Sequence, residues 1–319
     1  MAEKRRSRTI KTVLEETGFG TKSFSDLDRL IKKDGSFNVR RKGAGLKGFS
    51  LYYWFIHLHW AWLLLYGVMG YFLINLIFAL AYFFAGPEHL TGGLDQDTPS
   101  DFFMHCFYFS TQTLTTVGYG FISPIKGFSS VVAAIEAMIG LLTFAFATSV
   151  LYGRFSKAKA KILFSSTMVE CPYRGIRGLK FRIANPRRSE IIELKARVIY
   201  SFLADEKGQL VRRYLPLNLE IDFINMFPLP WTIVHPIDED SPLKGKTKSD
   251  LIKEQTELII LLKGYDEAFN QDVHQIHSYR ASEISFNFDF EPMFDRGFES
   301  STTVQLDLIS KTKKAASPA

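Results

Sequence analysis

Residues 113–120 read TLTTVGYG, a stretch that sets two glycines around a tyrosine beside an apolar segment. Glycine in such a region weakens a helix or strand by roughly 1 kcal/mol, which indicates a backbone conformation that other residues resist. A cation stripped of water needs oxygen ligands, and backbone carbonyls supply them when successive peptides face inward. That turn needs unusual dihedral angles at alternate positions, which Gly118 and Gly120 tolerate. The candidate coordinating residues are Thr116, Val117, Gly118, Tyr119 and Gly120.

This loop predicts both a bound ion and an assembly. Thr-Val-Gly-Tyr-Gly loops, four to a pore, form K⁺ filters. The chain carries one such loop, so a ring of four implies a homotetramer. We expect K⁺ at the filter as a permeant ligand, with no cofactor and no other metal. An ordinary turn is the structural alternative.

Two apolar stretches flank the loop, and each is long enough to cross a bilayer. Residues 49–85 hold no Lys, Arg, Asp or Glu, and in residues 128–152 the only charged side chain is Glu136. Because a spanning helix needs about 20 apolar residues, both stretches predict transmembrane helices.

The first stretch is too long for a single straight span. As one helix it would reach about 55 Å, beyond the roughly 45 Å of bilayer and headgroups. We therefore predict a bend between an interfacial slide helix at residues 47–59, rich in Tyr, Trp and His, and a span near Trp60 to Ala85. One long tilted helix is the alternative. The transmembrane pore domain would cover residues 60–156.

A shorter helix is predicted just before the filter. Ser100 can cap a helix over residues 101–113, because its side chain accepts hydrogen bonds from free backbone N–H groups. About 13 residues make roughly 20 Å, which is too short to cross a bilayer. The segment should enter the membrane and stop at the filter as a re-entrant pore helix. Glu136 would lie either behind the filter, against this helix, or at the outer interface.

Basic residues orient the chain in the membrane. Residues 1–48 contain thirteen Lys or Arg, whereas residues 49–125 contain none. The positive-inside rule then places both termini in the cytoplasm, in a multi-pass protein of the cell (inner) membrane. The net charge of +6 would also fit a nucleic-acid partner. The basic residues cluster beside the membrane ends, however, which indicates contact with anionic lipid, phosphoinositide-like or bacterial, and not with nucleic acid. The residues expected to bind lipid follow the second span: Arg154, Lys157, Lys159 and Lys161.

The C-terminal half has a different periodicity. ISFNFDF at 284–290 and VQLDL at 304–308 alternate apolar and polar residues, as half-buried strands do. Further such segments, separated by Pro, Gly and Asp, predict an all-β sandwich over residues 157–319. Residues 1–46 are basic and largely aperiodic, which indicates a cytoplasmic N-terminal segment.

No pattern of residues suggests an enzyme. The sequence lacks a G-x-G-x-x-G motif, a P-loop lysine and a nucleophile elbow. His235 is interpreted as a packed core residue in preference to a catalyst.

Several segments together resemble the prokaryotic inward-rectifier potassium channels (Kir family). They are DGSFNV, FYFSTQTLTTVGYG, LYGRFSKAKAKILFSS, FRIANPRRSEIIE and WTIVHPIDEDSPL. The likeness covers nearly the whole chain from about residue 34, and the filter joined to the last two segments is nearly particular to this family. It implies passive K⁺ conduction through a tetramer that is gated at the inner-helix bundle and modulated by anionic lipid. It also implies that the cytoplasmic sandwich is immunoglobulin-like.

The resemblance assigns roles to further residues. Phe144, Thr148 and Tyr152 share one helix face and would line the pore and its gate, although their spacing alone also fits a lipid-facing stripe. Mg²⁺ or polyamines block this family through an acidic or amide side chain on the second helix, and the alignment puts Phe144 at that position. The loop that narrows the cytoplasmic pore would comprise Tyr265, Asp266, Glu267, Ala268 and Phe269. Gly140 could hinge the second span or allow close packing.

Two other functions stay open on the sequence alone. One is a subunit of a K⁺ uptake transporter, although such transporters carry several degenerate filters in one chain. The other is a non-conducting membrane receptor that uses its sandwich to bind a ligand or a partner.

Overall fold

The computed structural model describes residues 29–33, 35–38, 50–92, 98–156, 161–187, 189–206, 208–295 and 303–315. The chain divides into two compact units. One comprises Lys42–Lys157, and the other combines Met1–Arg41 with Ala158–Ala319. Lys157, Lys159, most of the predicted N-terminal segment and the start of the predicted slide helix lie outside the described residues.

The described part of the first unit is helical. Its helices are α1 at Leu51–His57, α2 at Trp60–Ala85, α3 at Pro99–Leu114 and α4 at Gly127–Phe155, with a 3₁₀ turn at Pro87–His89. Helices α2 and α4 are 26 and 29 residues long, and both are long and apolar enough to cross a membrane. Most of their large apolar side chains are exposed in the single chain, as expected for helices that meet lipid or other helices.

The first apolar stretch bends where α1 ends. Leu58 and His59 adopt extended backbone angles, and the His59 side chain accepts a hydrogen bond from the amide of Ala61 at the start of α2. This side chain therefore acts as an N-cap that starts a new helix. The alternative of one long helix is wrong.

Helix α3 begins earlier than predicted. Thr98, and not Ser100, is the N-cap, because its hydroxyl accepts the amide of Asp101. Pro99 follows at the first helical position, where its missing N–H costs nothing and its fixed φ suits a helix. The helix has 16 residues, about 24 Å, and is still too short to span a bilayer.

Helix α3 packs between the two long helices. The rings of Tyr82 on α2 and Phe109 on α3 lie 4.9 Å apart in an edge-to-face arrangement. Around them is a buried apolar cluster that fixes α3 against its neighbours: Ala79, Tyr82, Leu90, Phe102, Cys106, Phe109 and Ile122.

The second unit is built from strands in two five-stranded sheets. The first sheet contains β1 Leu163–Phe164, β2 Met168–Tyr173, β3 Ile176–Ala184, β7 Trp231–Ile237 and β10 Ile284–Phe286. The second contains β4 Ile191–Glu206, β5 Gln209–Leu217, β6 Phe223–Met226, β8 Glu257–Asp266 and β9 Gln271–Arg280. The first has the order β1-β3-β2-β10, with β7 also paired to β3, and the second has the order β5-β4-β8-β9, with β6 also paired to β4.

Shorter elements complete this unit. They are α5 Lys248–Lys253, the strand pairs β11 Phe288–Phe290 with β14 Thr312–Lys314 and β12 Phe294–Asp295 with β13 Thr303–Val304, and the 3₁₀ turns Ala281–Glu283 and Leu306–Ser310. The core lies between the two sheets, because alternate residues of both contribute to one buried cluster. It includes Leu179 and Phe181 of β3 and Val198 and Tyr200 of β4.

Two predicted strands are wrong in detail. ISFNFDF is not one strand, because Asn287 has φ +61° and separates β10, which pairs with β2, from β11, which pairs with β14. A left-handed residue ends a regular ladder, and asparagine tolerates that conformation. In VQLDL only Val304 is in a strand, and Leu306–Ser310 forms a 3₁₀ turn.

Candidate ion-conduction site

The backbone of the glycine loop alternates in conformation. Thr116, Gly118 and Gly120 have φ values of +60°, +52° and +82°. Left-handed residues at every second position rotate successive peptides, so that their carbonyls can face the same side, as oxygen ligands for a cation must. The sequence predicted these unusual backbone angles for the two glycines. It missed Thr116, whose positive φ a β-branched residue rarely adopts.

Pore helix α3 holds this loop by its main chain. The amides of Val117 and Gly118 both donate to the carbonyl of Gln112, at 2.9 and 3.3 Å, and the amide of Thr116 donates to the carbonyl of Thr113 at 3.1 Å. The loop is therefore a direct continuation of the last turn of α3. The side chains of Val117 and Tyr119 point away from the rest of the chain and are 53% and 79% exposed.

Gly140 of α4 touches the end of the pore helix. A Cβ at this position would lie 2.0 Å from the carbonyl oxygen of Leu114 and 2.9 Å from its carbon. Contacts this short do not occur, so only glycine fits here without displacing α3. Of the two roles left open by the sequence, close packing is the one that the structure supports.

Glu136 is fully buried between helices. It accepts a hydrogen bond from the Tyr82 hydroxyl of α2 at 2.7 Å, and the Ser110 hydroxyl of α3 bonds to its other carboxylate oxygen. Both carboxylate oxygens therefore have partners, which a buried acidic side chain in a membrane segment requires. Of the two places consistent with the sequence, the structure has Glu136 against the pore helix.

The three candidate pore-lining residues lie on one face of α4. Phe144 and Tyr152 are 72% and 71% exposed in the single chain, and Thr148 is also exposed. The Thr148 hydroxyl donates to the carbonyl of Phe144 at 2.9 Å, so its hydrogen-bonding demand is met within the helix. This face of α4 can therefore contact either water or apolar side chains.

Arg154 does not project freely from the C-terminal end of α4. Its guanidinium donates to the carbonyls of Phe55 and Leu58 at 2.8 and 2.7 Å, and it lies 4.4 Å above the ring of Trp60. A cation is favoured there because these carbonyls belong to the negative end of α1. Of the other residues expected to bind lipid, Lys161 is exposed, and Lys157 and Lys159 lie outside the described residues.

The predicted cytoplasmic pore loop forms a hairpin tip. Tyr265 and Asp266 end β8, and the chain turns through residues 267–270 before β9. Asp266 is 1% exposed and accepts the amide of Ala268 at 3.1 Å, so its carboxylate stabilises the turn. Glu267 and Ala268 are exposed, and Phe269 is 40% exposed.

His235 is packed inside the second unit. Its ring nitrogens bond to the carbonyl of Asn218 at 2.6 Å and to the hydroxyl of Ser241 at 2.8 Å. Burial lowers the pKa of His235, because the charged form loses its hydration. These contacts join β7 to its neighbouring loops and agree with a structural role.

The helices, the re-entrant segment and the carbonyl loop together define an ion-channel pore with two membrane-spanning helices. Comparisons with known proteins agree. Residues 63–157 match the family model of ion channels, and residues 162–319 match that of the inward rectifier potassium channel C-terminal domain.

Relatives are similar in sequence over most of the chain. "Inward rectifier potassium channel Kirbac3.1" of Paramagnetospirillum magnetotacticum is 34% identical over 83% of this chain and 89% of its own. "Inward rectifier potassium channel 4" of Homo sapiens is 31% identical over 65% of this chain and 50% of its own. "ATP-sensitive inward rectifier potassium channel 12" of Gallus gallus is 27% identical over 88% of this chain and 70% of its own. The chain belongs to the inward-rectifier potassium channel family.

Proposed function

We propose that four copies of the chain form one pore and conduct K⁺ passively through the backbone of Thr116, Val117, Gly118, Tyr119 and Gly120. The observation that carries this proposal is the alternation of positive φ at Thr116, Gly118 and Gly120. A single loop offers carbonyls from one side only, and an ion without water needs them all round. Four loops around one axis supply that cage.

The exposure of the loop side chains also supports assembly. Apolar rings such as that of Tyr119, 79% exposed in one chain, are stable at membrane depth only against protein or lipid. In the tetramer, neighbouring pore helices would cover them and brace the ring.

Flux measurements test the proposed conduction. Liposomes containing only the purified protein should take up K⁺ down its gradient without an energy source. Flux that requires ATP or a coupling ion would indicate an uptake transporter, and no flux from tetramers of verified mass would indicate a receptor.

We further propose a membrane orientation, which follows from the distribution of basic residues, and a set of domain boundaries, which follow from hydropathy and strand periodicity. Both termini would be cytoplasmic, and the divisions would be 1–46, 47–59, 60–156 and 157–319, with the last an immunoglobulin-like sandwich. In this arrangement Phe144, Thr148 and Tyr152 form the gate region, and residues 265–269 narrow the cytoplasmic pore. Glu136 supports the pore helix behind the filter.

Lipid modulation is proposed to act through two kinds of basic residue. Lys157, Lys159 and Lys161 would bind anionic headgroups, each worth about 1 kcal/mol near an anionic surface. Arg154 would instead couple α4 to α1, since its guanidinium already holds the carbonyls of Phe55 and Leu58. Lipid drawn to the lysines would then act on the gate through this joint.

Replacing all three lysines by Gln should therefore weaken the response of K⁺ flux to lipid charge, while Arg154→Gln should change the flux itself. The measurement is flux in liposomes of neutral lipid alone and of neutral lipid with anionic lipid. The matched control is Lys311→Gln, which neutralises an exposed lysine far along the chain from this cluster. Flux that ignores lipid charge in the native and the triply neutralised protein would contradict the proposal.

Voltage-dependent block should be weak in the native channel and strong in Phe144→Asp. The phenyl ring offers no carboxylate to Mg²⁺ or a polyamine, whereas each new carboxylate attracts a cation by roughly 1 to 4 kcal/mol at about 4 Å. Spermine titrations on voltage-clamped bilayers measure this, with Phe144→Leu as the control that removes the ring without adding a charge or an amide. Equal block in native and Phe144→Asp channels would mean that residue 144 does not face the cavity.

A further inference from the structure

A chain of buried polar side chains crosses the membrane unit behind the pore helix. It links Asn75 and Tyr82 of α2, Ser110 of α3 and Glu136 of α4, and all four residues are 0% exposed. Tyr82 and Ser110 hydrogen-bond to Glu136, which is proposed to support the pore helix, whereas Asn75 has no role in that proposal. Buried polar groups in membrane helices are costly unless they are hydrogen-bonded, so an amide in the middle of an otherwise apolar helix needs a reason.

Asn75 faces the pore helix and contacts Ser110 twice. The Ser110 hydroxyl lies 3.1 Å from the side-chain oxygen of Asn75 and 3.2 Å from its main-chain oxygen. The Asn75 amide nitrogen donates to the carbonyl of Tyr71 at 2.7 Å, which fixes the orientation of the side chain. Both polar ends of the amide are therefore engaged, and its oxygen is directed at α3.

Ser110 lies close to the residue that holds the filter. It comes two positions before Gln112, whose carbonyl accepts the amides of Val117 and Gly118. Because these residues belong to the last turns of one helix, a shift of Ser110 moves the Gln112 carbonyl with it. Asn75 is thus joined to the filter backbone by one side-chain contact, a rigid helical turn and two main-chain hydrogen bonds.

We propose that Asn75 is a positioning residue for the selectivity filter and holds the end of the pore helix at the depth that the carbonyl ring requires. This inference rests on the proposed filter. Glu136 draws the same hydroxyl toward α4, since Ser110 also bonds to its carboxylate. The Ser110 hydroxyl has one proton, which the Asn75 and Glu136 oxygens share. Hydrogen bonding toward α2 on one side and α4 on the other therefore fixes the position of Ser110 between the two long helices.

Replacing Asn75 removes the side-chain oxygen that holds Ser110 toward α2, whereas the main-chain oxygen of residue 75 stays. In Asn75→Leu, a side chain of similar size without an oxygen, the Ser110 hydroxyl keeps only Glu136 and the main-chain oxygen of residue 75, and we expect α3 to move toward α4. The K⁺/Na⁺ permeability ratios of the Asn75 variants should fall by about fivefold or more below the native value, the factor that corresponds to one buried hydrogen bond. These ratios do not depend on how many channels reach the membrane, so a role in helix packing alone would lower the current and leave them unchanged.

The experiment measures reversal potentials of reconstituted native, Asn75→Leu and Asn75→Ala proteins, with tetramers verified by mass. Asn75→Ala cannot overpack and carries the test if the leucine variant does not assemble. Leu76→Ala truncates the adjacent, 41% exposed side chain and should keep native ratios. Ser110→Ala should also lower the ratios, and the Asn75→Leu/Ser110→Ala double variant should lose less than the sum of the two.

Native ratios in both Asn75 variants, or a fully additive double variant, would overturn the proposal. The proposed function is judged separately by the native protein. If native channels select K⁺ and the Asn75 variants match them, only the positioning role fails. If native channels do not distinguish K⁺ from Na⁺, the filter assignment itself fails.

Discussion

Gly118→Ala should abolish K⁺-selective conduction in tetramers that still assemble. Gly118 has φ +52°, a conformation that costs a residue with a Cβ roughly 1 to 2 kcal/mol, and a tetramer incurs this cost four times around one ring. The alternative is that residue 118 adopts a negative φ in each subunit, which turns a carbonyl away from the ion. Either route removes the geometry that lets carbonyls replace water.

The matched control for this variant is Gly70→Ala in α2. That glycine is helical, and an added Cβ would meet no atom of the chain within 4 Å. Reversal potentials under opposing K⁺ and Na⁺ gradients measure the outcome. Normal K⁺-over-Na⁺ selectivity in purified Gly118→Ala channels would show that this loop is not the filter.

Gly140→Ala should strongly reduce K⁺ flux although the substitution lies outside the filter. The new Cβ would fall 2.0 Å from the Leu114 carbonyl oxygen, so α3 or α4 must move by about 1 Å or more to restore ordinary contact. Leu114 is the last residue of the pore helix, two residues before Thr116. The displacement would therefore be passed to the loop in every subunit of the proposed tetramer.

Gly127→Ala tests whether this effect comes from the close approach. It lies in the same helix, and its added Cβ would have no neighbour within 4 Å. Flux into liposomes at equal protein content should be native in Gly127→Ala and much reduced in Gly140→Ala. Native flux in both variants would mean that the contact between Gly140 and Leu114 does not support the conducting state.

The sequence predicted features that depend on local composition. The absence of charge in residues 49–85 predicted a span near Trp60 to Ala85, which matches α2, because hydropathy and length alone decide whether a helix can cross a bilayer. The two-helix pore with its re-entrant helix and the β-rich C-terminal domain are confirmed. Gly118 was found because only a special backbone conformation explains glycine at that place.

Several features set by contacts between distant residues were not predicted. The partners of Arg154 lie 96 and 99 positions away, and nothing in its neighbourhood showed that α1 would end beside it. Ser110 and Asn75 are 35 positions apart, and each reads alone as an ordinary polar residue in an apolar helix. The break at Asn287 was missed because alternation does not report a single left-handed residue.

Selectivity of the native protein is the most direct test of the account. Planar bilayers containing only this protein, with K⁺ on one side and Na⁺ on the other, report the ratio of the two permeabilities as a reversal potential. We expect a large reversal potential, negative on the K⁺ side, because the carbonyl loops of the proposed tetramer favour K⁺ over Na⁺. A reversal potential near zero with a measurable current would contradict K⁺ selection by residues 116–120.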